Sequence, residues 1–79
     1  MTEALDTATK SLISALTAIS DDVERYEAAE KLKARIDREV KQVKAEVAKS
    51  LYDGRSWAAV GRMLGVTGSR AEQISRAAR

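Results

Sequence analysis

A long apolar stripe in the middle of the chain constrains its fold more than any other feature. Apolar residues recur there at steps of three or four, the spacing that places them on one face of an α-helix. They are Val23, Tyr26, Ala29, Leu32, Ile36, Val40, Val43, Val47 and Leu51. With a rise of about 1.5 Å per residue, such a helix spans roughly 45 Å, too long for short neighbouring segments to cover. The chain therefore needs a partner for part of this apolar face.

The first two helices are bounded by capping signals. The apolar spacing predicts a helix from Glu3 to Ile19, with Thr2 as its N-cap. The run Ser20-Asp21-Asp22 interrupts the pattern, and Asp21 followed by Glu24 is typical of a helix start. We expect the second, long helix to run from there to about Tyr52.

Two shorter helices are expected after the long one. Asp53-Gly54 ends the long helix, because glycine readily adopts the left-handed conformation just beyond a helix end. Ser56 is the N-cap of a helix Trp57–Leu64, and the turn that follows ends in Thr67 and Gly68. Thr67 caps a last helix that reaches the C-terminus. The predicted fold class is all-α, with an N-terminal helix and a long second helix for dimerisation, followed by a C-terminal helix-turn-helix.

Composition excludes several functions. The chain has 79 residues with no cysteine and no histidine, which removes disulfides, thiolate metal sites and the usual general base. Its carboxylates lie in helical charged stretches, and no glycine loop could cradle a phosphate. We therefore expect no enzyme activity, no metal, no cofactor and no small-molecule ligand. With no apolar run of membrane length and no leader, we expect a cytoplasmic protein without a membrane partner.

Charge is distributed unevenly along the chain. Residues 1–30 carry seven acidic and two basic side chains, whereas residues 55–79 carry five arginines and a single acid. The net charge of +2 therefore hides a net of −5 at one end and +4 at the other. This asymmetry favours contact between the C-terminal end and a polyanion, although arginines on helices are often merely solvated.

The segment from Trp57 to Arg76 has the residue pattern of two short helices that cross closely. Two short helices that cross closely need a small residue at the contact and a glycine at the sharp turn, and Gly61 and Gly65 meet these needs. Apolar residues must fill the angle between the helices, and we expect this of Val60, Leu64, Val66 and Ile74. Ala71 is smaller than is usual at its position. The spacing predicts a helix-turn-helix.

Two adjacent segments carry a resemblance to a known class. They are Ser56–Gly65, SWAAVGRMLG, and Val66–Ile74, VTGSRAEQI. The first is similar to the supporting helix of sigma-factor region 4, and the second resembles its recognition helix. The resemblance covers about residues 53–79 and implies that the last helix enters the DNA major groove. The rest of the chain does not resemble a sigma factor; a helical segment before one such motif is similar to small actinobacterial regulators and nucleoid-associated proteins.

The candidate DNA-binding residues follow from the expected position of the last helix in the major groove. On the face of the last helix opposite Ala71, Ile74 and Ala78, we expect four residues to point at the groove: Ser69, Glu72, Gln73 and Arg76. Arg76 suits a guanine and Gln73 an adenine, while Glu72 could accept from a cytosine or orient an arginine. Arg70 lies on the flank of the helix. The phosphate candidates are Ser56, Arg62, Thr67 and Arg79.

The long helix is expected to complete the DNA-binding part through its C-terminal half. In this packing Val40, Val43, Val47 and Leu51 contact Trp57, Val60, Leu64 and Ile74, with Trp57 wedged against Val47 or Leu51. A basic run on the same helix is expected to be a solvated face, some of which could reach phosphates at the edge of the site. It comprises Lys31, Lys33, Arg35, Arg38, Lys41 and Lys44.

The remaining apolar surface predicts a homodimer. The chain is then a single domain, 1–79, with a helical dimerisation part at 1–36 and a trihelical DNA-binding part at 37–79. The interface candidates are Leu5, Leu12, Leu16, Ile19, Val23, Tyr26 and Leu32. We expect a dimer that binds double-stranded DNA at a short site, as a transcription regulator or a nucleoid-associated protein. The alternative is a helical adaptor, antitoxin-like or polymerase-binding, that contacts protein and not DNA.

Overall fold

Four α-helices make up most of the part of the chain that the structure describes. The computed structural model describes residues 2–77, so that Ala78 and Arg79 lie outside the described residues. The helices are α1 (Glu3–Thr17), α2 (Asp22–Tyr52), α3 (Trp57–Leu64) and α4 (Gly68–Arg76). No strand occurs in the described part, and the predicted all-α class is confirmed. None of these helices is both long and apolar enough to cross a membrane.

The ends of α1 differ from the prediction. Thr2 has helical backbone angles and its side chain makes no capping hydrogen bond, so the prediction of Thr2 as a side-chain cap is wrong. The helix ends at Thr17 and not at Ile19. The amide of Ile19 donates to the carbonyl of Leu16, three residues back, at 3.1 Å. This tighter turn replaces the four-residue step of an α-helix and ends α1 two residues early.

The turn between α1 and α2 is held by Asp21 and Arg25. The amide of Glu24 donates to Oδ2 of Asp21 at 2.9 Å, which confirms Asp21 as the cap of α2. Arg25, whose role the sequence did not reveal, donates through Nε to the carbonyl of Ile19 at 2.9 Å. Its Nη1 also lies 3.3 Å from Oδ1 of Asp22. Arg25 thereby satisfies a carbonyl that the end of α1 leaves without a helical partner.

The predicted caps around α3 are confirmed. Gly54 has a φ of +72°, and Oγ of Ser56 accepts a hydrogen bond of 3.2 Å from the amide of Ala59. Trp57, however, stacks on Tyr52, with ring centroids 4.0 Å apart and planes 11° from parallel. The contact predicted for Trp57, with Val47 or Leu51, did not include Tyr52. The stacked pair joins the last residue of α2 to the first residue of α3.

The turn between α3 and α4 also follows the prediction. Gly65 adopts a φ of +74°, which few side-chain-bearing residues tolerate. The amide of Arg70 donates to Oγ1 of Thr67 at 3.0 Å, so Thr67 caps α4 as expected. A turn at Ala77 follows α4 in the described part, so the prediction of a helix up to the C-terminus does not hold at this residue.

The chain divides into two compact units within α2. The N-terminal unit extends to Arg35 and the C-terminal unit begins at Ile36. In the described part of the N-terminal unit no side chain is fully buried. Within its described residues, the C-terminal unit has a small core of four fully buried apolar residues: Ala45, Ala48, Val60 and Ala71. The two units therefore differ in how much of their apolar surface they cover.

The face of α2 that enters this core is not the predicted one. Ala45 and Ala48 are fully buried, whereas Val40, Val43 and Val47 remain exposed and Leu51 is half-buried. Val43 and Val47 nevertheless line a groove with Leu64 and Ile74, two of the residues predicted to contact them, so the predicted packing is met only in part. The fully buried positions on this half of α2 are the two small alanine side chains.

Candidate nucleic-acid interface

Two glycines bring the backbones of α3 and α4 together. A Cβ atom added at Gly61 would lie 2.7 Å from the carbonyl oxygen of Val66 and 2.7 Å from the carbonyl carbon of Thr67. The expectation that Gly61 is the small residue at the crossing is therefore confirmed. Gly68 makes a second close approach, since its added Cβ would lie 3.0 Å from the amide nitrogen of Ala58. The sequence analysis treated Gly68 only as part of the turn.

The space between α3 and α4 is filled by fewer residues than expected. Val60 and Ala71 are fully buried and Ile74 is half-buried, whereas Leu64 and Val66 are each 36% exposed. The prediction that Leu64 and Val66 fill the angle between the helices is therefore only partly met. The sequence analysis also missed Ser75, which is buried and donates through Oγ to the carbonyl of Glu72 at 2.6 Å. This hydrogen bond satisfies a polar group at a core position.

An open apolar groove lies beside this contact. It has a volume of about 280 Å³ and is lined by Val43, Lys44, Val47, Leu64, Val66 and Ile74. Val43 and Val47 of α2, which were expected in the core, lie along this groove. The closest packing is at the alanines, and the larger side chains surround a space that they do not fill.

The outer face of α4 carries the predicted base-reading residues. Ser69, Gln73 and Arg76 are exposed, and Glu72 is half-buried. Nη2 of Arg76 forms a charged hydrogen bond of 2.5 Å with Oε1 of Glu72, one helical turn earlier. Glu72 is thus placed to orient an arginine, one of the two roles considered for it. The guanidinium keeps donors that are not used by this pair.

The predicted phosphate candidates are distributed over both short helices. Ser56 and Thr67 are exposed, and each hydroxyl oxygen accepts a capping hydrogen bond. A hydroxyl that accepts in this way still has a hydrogen to donate to a phosphate oxygen. Arg62 is exposed on α3, while Arg79 lies outside the described residues. The caps therefore combine a structural role with a free donor.

A second groove joins α2 to α4 and is polar at its rim. It has a volume of about 180 Å³ and is lined by Asp37, Val40, Lys41, Lys44, Arg70, Gln73, Ile74 and Ala77. Nζ of Lys41 lies 3.2 Å from Oδ2 of Asp37. Lys44 and Arg70 form no ion pair with a carboxylate of residues 2–77. Two members of the basic run on α2 thus share a groove with residues of α4.

The predicted dimer-interface residues differ in exposure. Leu5 and Tyr26 are each 68% exposed and Val23 is 66% exposed, while Leu12 is exposed to a smaller extent. The other three, Leu16, Ile19 and Leu32, are half-buried. The N-terminal unit therefore presents large apolar side chains to solvent on both α1 and the start of α2.

The chemistry available at the C-terminal unit is that of hydrogen-bond donors and positive charge. Glu72 and Asp37 are each paired with a cation, and residues 36–77 carry eight Lys and Arg against five Asp and Glu. No group of His, Cys, Asp or Glu within residues 2–77 is arranged to hold a metal ion. Such a surface suits a ligand rich in hydrogen-bond acceptors and negative charge.

No family model matches the chain, and neither a curated protein nor a solved structure shows significant similarity to it. Function is therefore inferred from the residues and geometry of the chain itself.

Proposed function

We propose that the chain is a helix-turn-helix protein that binds double-stranded DNA, with α4 in the major groove and α3 lying across it. The observation that carries this proposal is the backbone-to-backbone crossing at Gly61, next to an exposed α4 face with Gln73 and Arg76. An α-helix with its side chains is roughly 10–12 Å in diameter and fits a major groove about 12 Å wide.

Base reading falls to the exposed face of α4. Arg76 donates two hydrogen bonds to O6 and N7 of a guanine, and Gln73 pairs with an adenine through its amide. Glu72 restricts the rotamers of Arg76 before DNA arrives, so less side-chain entropy is lost on binding. Ser69 lies one helical turn before Gln73 and contacts the edge of the site.

Phosphate contacts fix the position of α4 in the groove. Ser56 and Thr67 stand at the starts of α3 and α4, where free backbone amides and hydroxyl hydrogens both favour an anion. Arg62 adds a positive charge on the exposed side of α3. Arg70 flanks the base-reading face. These contacts set the register of the protein on the duplex without reading its sequence.

The protein acts as a homodimer in this proposal. The described part of the N-terminal unit buries no side chain fully, and Leu5, Val23 and Tyr26 are exposed. Covering such residues with a second copy removes their apolar surface from water. A dimer also supplies two recognition helices for related half-sites, which a regulator or a nucleoid-associated protein both use.

One observation favours a second candidate, a helical adaptor that binds protein and not DNA. On α1 the exposed Leu5 lies between Glu3 and Asp6, and an antitoxin-like or polymerase-binding module presents such an acidic and apolar surface to a protein partner. DNA binding separates the two candidates, because an adaptor of this kind has no affinity for a duplex.

The test is fluorescence anisotropy with labelled random-sequence duplexes over a salt series, followed by sequencing of the bound fraction. We expect affinity to fall steeply with salt. On the selected sequence, Arg76→Ala should cost about 1–3 kcal/mol in binding, and Arg76→Lys should retain the salt dependence but lose discrimination at one base pair.

The matched control is Arg38→Ala, which removes an arginine that is exposed on α2 and lines neither groove. It should leave discrimination between sequences unchanged. If the wild-type protein binds no duplex even at low salt, the DNA-binding proposal is wrong and a protein partner should be sought.

A further inference from the structure

The basic run on α2 contains six cations, and the structure separates two of them from the rest. Lys41 and Lys44 line the polar groove with Arg70 and Gln73 of α4. The other four, Lys31, Lys33, Arg35 and Arg38, line neither groove. Sequence alone does not distinguish these residues, because all six are spaced along one exposed helix.

The groove has both apolar and positively charged lining residues. Val40, Ile74 and Ala77 are apolar, while Lys44 and Arg70 bring two charges that no carboxylate of residues 2–77 neutralises. Lys41 is paired with Asp37, so the four charged groups of the lining sum to a net of +2. Unpaired cations from two helices at one groove favour a compact anion.

The position of Gln73 connects this groove to the base-reading face. Gln73 both lines the groove and belongs to the exposed side of α4. A duplex read by Gln73 and Arg76 therefore brings its own backbone next to Lys44 and Arg70. The flexible lysine stem of four carbons allows Nζ of Lys44 to follow a phosphate oxygen.

We propose that Lys44 and Arg70, with Lys41 beside them, bind a phosphate group of the DNA backbone adjacent to the bases that α4 reads. This inference rests on the proposed function and extends the DNA-binding surface from the two short helices onto α2. Asp37 opposes the contact, since it holds Lys41 and repels the phosphate. The long helix then has a binding role in addition to its part in the core.

The experiment compares Lys44→Gln with Lys49→Gln on the full-length chain, by anisotropy of a labelled random-sequence duplex over a salt series. Both variants lose one positive charge on α2, but Lys49 lines neither groove. Log affinity falls linearly with log salt, and loss of one phosphate contact should make the slope less negative by about 0.9. The affinity deficit of Lys44→Gln should therefore be roughly three-fold larger at 50 mM than at 200 mM salt, and equal for every sequence.

Asp37→Asn provides a variant in the opposite direction. It removes the acid and frees Lys41, so the affinity for DNA should rise and should fall more steeply with salt. Loss of folding cannot produce this effect. Circular dichroism checks that all three variants remain helical. If the wild type binds DNA and Lys44→Gln matches Lys49→Gln, this inference is wrong while the proposed function stands. If the wild type binds no duplex, both are wrong.

Discussion

At the scale of single residues, the fold depends on positions where a side chain is absent or very small. Gly61 brings α3 against the turn, and Gly68 brings the start of α4 against Ala58. The sequence predicted Gly61 because its spacing from Gly65 is that of two closely crossing helices. It did not predict Gly68, because a glycine at a turn is equally well explained by its backbone freedom.

Gly61→Ala should destabilise the protein by about 1–3 kcal/mol, the usual cost of forcing an added methyl group into a packed site. The methyl would meet backbone atoms at 2.7 Å, and these cannot move aside as a flexible side chain could. Gly68→Ala should cost less, because its nearest contacts are at 3.0–3.2 Å. Urea denaturation, monitored by circular dichroism, measures the change in stability of both variants. A Gly61→Ala protein as stable as the wild type would contradict the described crossing.

At the scale of helices, the capping residues were predicted well, whereas the faces through which the helices pack were not. Asp21, Ser56 and Thr67 all cap as expected, because a capping side chain bonds to an amide three residues later and depends little on the rest of the chain. The buried face of α2 depends on how closely α3 and α4 approach. The apolar stripe of valines did not reveal that Ala45 and Ala48 would occupy the contact.

Enlarging an alanine and a valine of α2 tests this contact face. Ala48→Leu should destabilise the C-terminal unit by about 1–3 kcal/mol or more, because the alanine is fully buried against its neighbours. Val47→Leu should change stability by no more than about 0.5 kcal/mol, since Val47 is exposed along an open groove. Thermal unfolding of both variants measures the difference. A larger destabilisation by Val47→Leu than by Ala48→Leu would mean that the valine stripe, and not the alanine pair, forms the contact.

At the scale of the whole molecule, the sequence predicted that apolar side chains would remain exposed but did not identify the molecule that would cover them. The exposed face of α4 could be predicted from helical spacing alone, since that face is a local property. The place of Lys41 and Lys44 could not, because only the packing of α2 on α4 brings them beside Arg70. The partner proposed for the N-terminal unit belongs to an assembly, and the stripe in one chain predicts a partner without identifying it.

The last prediction concerns this partner. If a second copy covers the N-terminal unit, the chain of 8.6 kDa should sediment as a dimer, and its thermal midpoint should rise with protein concentration. Leu5 and Leu12 are both exposed on α1 and should lie in the interface. The double change Leu5→Ser and Leu12→Ser removes four apolar side chains from the dimer. At about 1.5 kcal/mol each, this should raise the dissociation constant by more than about a thousand-fold.

Lys10→Ser is the matched control, because it alters an exposed residue on the opposite side of the same helix. It should leave the sedimentation coefficient unchanged. The double variant should still bind DNA, but more weakly, because each recognition helix then acts alone and the two half-sites are no longer held by one assembly. A wild-type chain that sediments as a monomer at every concentration would rule out the dimer and leave the apolar face of α1 for a different protein, as the adaptor candidate requires.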